Sequence, residues 1–321
     1  MTLPWLETEK QRLIASLDQA RLGHAPLISG PAGLGKSELA AWLARRLLCL
    51  DPVELEPCGQ CASCRMFAAG THPDFFPIGI PEDKRDIPVD SVRQLSESLQ
   101  LTPSVGPRRL GLIEPAEAMN SNAANALLKT LEEPSAEAWL ILVSHQPGRL
   151  PATVRSRCQP VTVRPPAAVV GLEWLRDHCP DKASDVLSEA LSLTTGAPLA
   201  ARRLLEDEQL EFGHAVLDGL LGVASGEAIH LILDDRWTDS APDTWQWLAL
   251  WCSALMRHSQ GLATRFIPSD RQLPADLDPA RVGRLWERAL NGAALSRGNA
   301  RQDLLLGQWL LEWQGICGRG K

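Results

Sequence analysis

Apolar residues in the first half of the chain fall into short continuous runs that are separated by segments with helical spacing. The continuous runs are Pro26–Ser29, Leu110–Ile113 and Trp139–Val143. Runs of this length predict buried strands, and the helical spacing predicts one helix from Lys36 to about Leu48 and another from Ala123 to Glu133. Strands that alternate with helices indicate an α/β fold with a parallel sheet.

This rhythm is interrupted from Leu50 to Arg85, where the sequence is rich in Cys, Gly and Pro. We expect an insertion here that something other than an apolar core holds together. After about residue 166 the strand signals fade, and the pattern predicts short helices to about residue 207. From residue 208 onward the chain is predicted to be wholly helical, and a clear last helix runs through Asp303–Trp313.

The composition is that of an ordinary globular protein, with 45% apolar and 22% charged residues among 321. No apolar run approaches the roughly 20 residues that cross a bilayer. The first residues are acidic where a signal peptide carries Lys or Arg, so we expect a cytoplasmic protein with no membrane partner. A net charge of −7 argues against binding nucleic acid by bulk electrostatics alone and leaves room for a local basic face.

A phosphate-binding loop is predicted between the first strand and the first helix. Residues Gly30 to Ser37 fit the pattern GxxxxGK[ST], with glycines at Gly30, Gly33 and Gly35. Glycines let backbone N–H groups surround phosphates, while Lys36 reaches the β and γ oxygens and Ser37 ligates Mg²⁺. ATP or ADP with Mg²⁺ is the expected ligand. The alternative is a glycine-rich turn that binds nothing.

Hydrolysis needs acidic residues at the end of a neighbouring strand, which hold Mg²⁺ and orient the attacking water. The strand that ends at Ile113 is followed by Glu114, which we predict to face the metal. The next residue is Pro115, which cannot polarise a water molecule. The sequence therefore predicts half of a hydrolytic site.

Four of the eight cysteines are clustered, and their spacing is Cys49-x8-Cys58-x2-Cys61-x2-Cys64. Four thiolates at such spacing suit tetrahedral Zn²⁺, and a site with four protein ligands is structural. An iron–sulfur cluster is the rival interpretation, followed by free or paired thiols. The remaining cysteines are dispersed and are predicted to be buried or surface thiols.

Two further features have both a functional and an ordinary explanation. Arg157 follows the third strand and a short helical stretch, where it can serve as an arginine finger for a neighbour's γ-phosphate or be a solvated charge. Asn125, Lys129 and Glu132 share one face of a predicted helix. This face is either an intersubunit surface or a solvated face with internal charge pairs.

Taken in order, four of these segments resemble subunits of bacterial clamp loaders, which belong to the AAA+ class of ATPases. They are Gly30–Ser37, the four-cysteine insertion, Asn125–Pro134 and Ser156–Cys158. The resemblance implies an AAA+ domain at residues 1–166 with a zinc-binding insertion at about 49–70. It further implies a helical lid at residues 167–207 and a helical collar for ring assembly at residues 208–321.

The same resemblance implies a function and a set of partners. It indicates a subunit that helps to load the sliding clamp onto primer–template DNA, in a ring with gamma/tau and delta subunits. Arg157 becomes the finger that acts on a neighbouring ATPase subunit, and the clustered cysteines become zinc ligands. ATPase subunits of the family carry an arginine in the lid where this chain has Leu199, so we predict no hydrolysis by this chain. An active ATPase subunit is the alternative, followed by a zinc-dependent nucleic-acid-binding module.

Overall fold

The computed structural model describes residues 2–262, 271–274, 277–296 and 300–318. Two compact units are present, the first comprising Met1–Pro180 with Thr194–Ala201 and the second comprising Asp181–Leu193 with Arg202–Lys321. The strands are β1 (Pro26–Ser29), β2 (Phe75–Ile78), β3 (Arg109–Ile113), β4 (Ala138–Ser144) and β5 (Gln159–Thr162). All lie in the first unit and form one parallel sheet in the order β2-β3-β4-β1-β5. The predicted parallel α/β fold is therefore confirmed.

The helices that accompany this sheet are α1 (Glu7–Asp18), α2 (Lys36–Leu48), α3 (Ala62–Ala68), α4 (Val89–Leu99), α5 (Ser121–Glu132), α6 (Ala152–Arg155) and α7 (Ala168–His178). Apolar side chains on one sheet face, including Leu27 and Leu142, pack with those of α4, α5 and α6. Alternate strand residues point the other way, and Ile28 and Val143 are also fully buried. Helix α2 contacts β1, β3 and β4. Burial on both faces explains why these strands are continuous apolar runs.

Residues 50–85 were expected to be an insertion that no apolar core holds together, and this is wrong for one segment. Phe75–Ile78 forms strand β2, which pairs with β3 at one border of the sheet. Pro77 interrupts the strand pattern in the sequence, and it is tolerated because β2 has a single neighbour. The cysteine-rich part of the segment does lie outside the sheet and contains helix α3.

Both border strands carry a proline. Pro77 lies in β2 and Pro160 lies in β5. In β2, the carbonyls of Asp74 and Ile78 accept hydrogen bonds from β3. Successive residues of a strand direct their backbone groups to opposite sides, so Pro77 directs its backbone nitrogen away from β3. In β5, the N–H groups of Gln159 and Val163 donate to β1, so Pro160 between them is likewise turned outward. The missing N–H of each proline therefore faces away from the neighbouring strand, where no ladder bond is lost.

A buried ion pair joins the beginnings of β2 and β3. Nε of Arg109 lies 3.3 Å from Oδ1 of Asp74, whose side chain is fully buried. The same carboxylate accepts backbone N–H bonds from Ser104 and Val105 at 2.8 Å each. Burial raises the pKa of Asp74, but these two N–H groups and Arg109 outweigh it, so the pKa is lowered. Asp74 is therefore charged at neutral pH.

The second unit is helical, and its described helices are α8 (Ser184–Leu193), α10 (Gln209–Ser225), α11 (Ile229–Ile232), α12 (Asp235–Asp239), α13 (Ala241–Ser259), α14 (Pro279–Leu295) and α15 (Gln302–Cys317). Helix α9 (Pro198–Glu206) begins in the first unit and ends in the second. Buried indoles tie the helices together, since Trp251 donates to the Gly213 carbonyl at 2.8 Å and Trp313 donates to the Leu220 carbonyl at 2.7 Å. Within the described residues, no helix combines the length and apolarity that crossing a bilayer requires.

Candidate functional site

The predicted phosphate-binding loop connects β1 to α2, as the sequence pattern requires. Gly33 and Gly35 have φ angles of +76° and +80°, which fall in the left-handed region where glycine carries no steric penalty. Gly35 caps α2, so the free N–H groups of the first helical turn begin at Lys36. The start of a helix next to such a loop is suited to bind phosphate.

Lys36 is almost fully buried at the base of this loop. Its Nζ donates a 2.6 Å hydrogen bond to the carbonyl of Pro31, and its exposed fraction is 2%. Burial lowers the pKa of Lys36, and the nearby carboxylates of Glu117 and Glu114 oppose this effect. The lysine is thus held inside the loop among acidic groups.

Glu114 lies where the sequence predicts a metal-facing carboxylate, just beyond the carboxyl end of β3. Its Oε1 accepts a 2.5 Å hydrogen bond from the hydroxyl of Ser37. A carboxylate and a hydroxyl are among the oxygen ligands that Mg²⁺ takes alongside nucleotide phosphates. Pro115 follows directly and contributes no polar side chain to the site.

A second carboxylate, that of Glu117, lies at this site and was not predicted from the sequence. Its Oε1 accepts backbone N–H bonds from His145 at 2.9 Å and Gln146 at 3.1 Å, just after β4. Burial raises the pKa of Glu117, but the hydrogen bonds it accepts outweigh burial and the pKa is lowered. Burial and the charge of Lys36 lower the pKa of His145. The feature of the sequence that could have indicated Glu117 is its closeness to Glu114, since both lie just after β3.

The beginning of α9 covers the phosphate-binding loop. The backbone N–H of Leu199 donates a 3.1 Å hydrogen bond to the carbonyl of Gly33. A Cβ atom on Gly33 would lie 2.4 Å from the Cβ of Ala200, so the close approach requires glycine. Leu199 is 9% exposed. Leu199 therefore places an apolar side chain beside the phosphate-binding loop.

The four clustered cysteines converge as their spacing predicts. Their Sγ atoms all lie within 4.8 Å of one another, and those of Cys49 and Cys61 are 4.0 Å apart. Tetrahedral Zn²⁺ with Zn–S bonds of about 2.3 Å requires sulfur separations of about 3.8 Å. Within the part of the chain that the structure describes, this is the group of His, Cys, Asp or Glu side chains that can hold a metal ion. The donor set fits zinc.

Hydrogen bonds from the backbone prepare this cluster for a cation. The amides of Cys58, Cys61 and Cys64 point at cysteine sulfurs at 3.3 to 3.4 Å. Burial raises the pKa of Cys61, but hydrogen bonds from Leu50 and Cys64 outweigh burial and lower it to about 6. Burial raises the pKa of Cys49 and that of Cys64, the latter to about 12. Of these three thiols, Cys61 therefore forms a thiolate most readily, and binding of a metal would release the protons of the other two.

Polar contacts anchor the insertion to the rest of the first unit. Glu56 accepts hydrogen bonds from Nζ of Lys10 at 2.8 Å and from the indole of Trp42 at 3.1 Å. His72, which lies close to the cysteines in sequence, is buried and bonds to the Ser63 hydroxyl at 2.9 Å. It supports the chain beside the cluster and is not one of the four converging ligands.

Arg157 lies between α6 and β5, on the exposed surface of the first unit. Its Nη2 lies 2.5 Å from Oε1 of Glu132 at the end of α5, and its Nη1 donates to the Thr153 carbonyl at 2.9 Å. The side chains of Arg157 and Glu132 are 35% and 48% exposed. Exposed ion pairs of this kind contribute about 0.2–1 kcal/mol.

Arg157 and the phosphate-binding loop belong to opposite ends of the sheet. β1 and β5 are parallel neighbours with Pro26 opposite Gln159 and Ser29 opposite Thr162. Arg157 precedes the first residue of β5, whereas Gly30 follows the last residue of β1. The strand length therefore separates the arginine from the loop of its own chain.

Comparisons with known proteins identify the family. A family model described as "DNA polymerase III, delta subunit" matches residues 5–167. The chain is 37% identical to DNA polymerase III subunit delta' of Pseudomonas aeruginosa, covering 99% of this chain and 98% of the relative. It is 36% identical to the Escherichia coli subunit of the same name, with 79% and 76% covered.

Two further comparisons concern the subunit type and the fold. A tau/gamma subunit of Haemophilus influenzae is 36% identical over only 46% of this chain and 21% of its own length. A gamma subunit-related protein of DNA polymerase III from Thermotoga maritima shares the fold at 16% identity and a TM-score of 0.51, covering 98% of this chain and 99% of that one. The predicted α/β fold is thus shared by this solved structure. Similarity to delta' subunits extends over almost the whole chain, whereas similarity to the tau/gamma subunit covers less than half of it, which supports the main interpretation of the sequence over the gamma/tau alternative. The chain belongs to the delta' subunit family of DNA polymerase III.

Proposed function

We propose that this chain is a clamp-loader subunit that acts in the cytoplasm, in a ring with gamma/tau and delta subunits. In this ring it helps to load the sliding clamp onto primer–template DNA. Similarity over almost the whole length of delta' relatives supports the proposal. Its contribution to chemistry is Arg157, which stabilises charge on the phosphoryl group transferred in a neighbouring ATPase subunit.

The observation that carries this proposal is the position of Arg157. It precedes β5, at the opposite end of the sheet from Gly30 and Lys36. An arginine in this position is too far from its own loop to contact a nucleotide bound there, and it is exposed for a partner. This arrangement supports action in trans.

The nucleotide site of the chain itself supports binding without turnover. Lys36, Ser37 and Glu114 provide the groups that hold phosphate and Mg²⁺, and bound Mg²⁺ would neutralise phosphate charge. Pro115 and Leu199 occupy positions where turnover needs a carboxylate and an arginine. The second candidate function is an ATPase that turns over its own nucleotide, and it would rely on the same Lys36, Ser37 and Glu114.

The zinc site and the domain boundaries are assigned from the same family resemblance. Zinc on the four cysteines is proposed to be structural and to fold the insertion at about residues 49–70, because four protein ligands leave no open position. Residues 1–166 form the AAA+ domain, residues 167–207 the lid, and residues 208–321 the collar that joins the ring.

The test is the ATPase rate of a reconstituted loader that contains either the native chain or its Arg157→Ala variant, with clamp and primed DNA. A clear loss of turnover with an intact complex is expected, because a finger contributes about 10³–10⁵ at its own site; turnover that remains comes from sites that Arg157 does not serve. Arg155→Ala is the matched control, since Arg155 lies two residues earlier at the end of α6. Equal rates for the native and Arg157→Ala loaders would refute the finger.

A further inference from the structure

Arg157 is held on its own subunit by contacts to both terminal nitrogens of its guanidinium. Nη2 is paired with the carboxylate of Glu132 at 2.5 Å. Nη1 donates to the Thr153 carbonyl at 2.9 Å and to the Ser156 hydroxyl at 3.4 Å. Because Thr153 lies four residues earlier, the side chain is folded back along its own segment.

This conformation competes with binding a phosphate. Carboxylates and phosphates both pair with the forked N–H groups of a guanidinium, so they are alternative partners for the same nitrogens. In the paired state, Glu132 also places a negative charge 2.5 Å from Nη2. A phosphate approaching Arg157 is therefore repelled by this carboxylate until the pair separates.

We propose that Glu132 withholds Arg157 from the neighbouring subunit, and that the phosphate of the neighbour's nucleotide replaces the carboxylate when the ring closes. The inference rests on the proposed function, because it assumes that Arg157 acts in trans. It adds a regulatory contact within this chain, between the end of α5 and the segment before β5. Glu132 is a positioning residue in this scheme, since it acts only through Arg157.

Exposure keeps the contact weak enough to be exchanged. The paired side chains are 35% and 48% exposed, so water and salt screen the attraction. Ion pairs in such surroundings bias an equilibrium by about two- to fivefold. Glu132 is thus able to set the resting population of withheld arginine without blocking its release.

The neighbouring residue provides a matched control. Glu133 is also exposed and carries the same charge in the same motif. Among the described ion pairs, the partner of Arg157 is Glu132 rather than Glu133. Glu133→Gln therefore removes an equal charge from this surface without releasing the arginine.

The experiment measures ATP turnover of a reconstituted loader without clamp and DNA, and again with both. Glu132→Gln is expected to raise the unstimulated rate about two- to fivefold, while Glu133→Gln remains near the native rate. The double variant Glu132→Gln/Arg157→Ala is expected to match Arg157→Ala alone. Gel filtration of each loader verifies assembly.

The outcomes separate this inference from the proposed function. An unchanged or lower rate for Glu132→Gln, with Arg157→Ala still impaired, overturns the withholding contact and leaves the finger intact. An increase that persists in the double variant also overturns it, because the effect would not pass through Arg157. Native turnover by Arg157→Ala refutes the finger itself.

Discussion

The hydroxyl of Ser37 donates a 2.5 Å hydrogen bond to the carboxylate of Glu114 and so joins the phosphate-binding loop to the end of β3. These two oxygens come from segments that are 77 residues apart in sequence. A hydroxyl and a carboxylate, both of a kind that Mg²⁺ takes as ligands beside nucleotide phosphates, thus lie next to each other. This contact bears on nucleotide binding. Hydrolysis needs further groups that position and activate water.

We predict that the isolated chain binds Mg·ATP and does not hydrolyse it. Lys36→Ala is expected to weaken binding about 10- to 100-fold, because hydrogen bonds to charged groups contribute about 1.5–3 kcal/mol. Ser37→Ala is expected to reduce the Mg²⁺ dependence of binding. A fluorescent ATP analogue, titrated with and without Mg²⁺, measures both effects.

The control for nucleotide binding is Lys182→Ala, which removes an equal charge from an exposed lysine in the second unit. Turnover by the native chain that Lys36→Ala abolishes would favour the ATPase alternative. Equal binding by the native chain and Lys36→Ala would mean that the loop is not a phosphate site.

We predict one equivalent of zinc per chain, bound by the four converging cysteines. Cys61→Ser is expected to lose the metal and to unfold the insertion at about residues 49–70, because metal binding supplies folding energy to such segments. The sheet is expected to remain folded, since its core lies elsewhere. Metal analysis and hydrogen exchange measure the two effects.

Cys179→Ser is the control for the zinc prediction, because Cys179 lies outside the cluster. It is expected to retain the metal. Protein purified without chelator and found to contain no zinc would contradict the assignment, and a bound iron–sulfur cluster would be recognised by its visible absorption.

We predict that Asp74→Asn lowers the free energy of unfolding by about 3–5 kcal/mol, because it leaves the buried guanidinium of Arg109 without its counter-charge. Asp90→Asn, at an exposed pair with Arg93, is expected to cost less than about 1 kcal/mol. Urea unfolding measures both. Since the pKa of Asp74 is lowered, its contribution is present above pH about 4 and is lost as the pH falls further. Similar losses for the two variants would contradict the prediction.

A pH dependence of opposite sign is predicted for the second unit. Nε2 of His214 lies 2.7 Å from Oε1 of Glu189, and this hydrogen bond raises the pKa of His214, with burial opposing it. The stabilisation is complete below pH about 6.5 and is lost as the pH rises through the raised pKa. We expect His214→Gln to cost about 1 kcal/mol at pH 6 and less at pH 8. Urea unfolding at both values tests this, and an equal cost at both would refute it.

The sequence predicted those parts of the fold in which local pattern and tertiary burial agree. β1 and α2 have the predicted bounds, because a buried strand followed by a phosphate-binding loop leaves little freedom. Helix α5 begins two residues earlier than expected because the side chain of Asn120 caps it and accepts the Ala123 N–H. β2 was missed because its proline is acceptable only at a border of the sheet, and strand order is not a local property.

The residues of the candidate site also fall into two groups, those predicted from local sequence and those that depend on long-range contacts. Motif spacing predicted the phosphate-binding loop and the four cysteines, since each set is defined by short separations along the chain, and Glu114 was predicted from its place directly after a strand. Glu117 and the pairing of Glu132 with Arg157 depend on contacts between segments about 25 residues apart, or more. No periodicity or motif encodes such contacts, and they emerge only when the packing of the sheet is known.

The prolines at the two borders of the sheet have a consequence for assembly. An unprotected border strand offers free N–H groups on which a strand of another chain can form, which leads to aggregation. Pro77 and Pro160 each remove one such donor from the outward side. Extension of the sheet is thereby disfavoured at both borders, which favours association with other proteins through side chains and helices, and these can distinguish one partner from another.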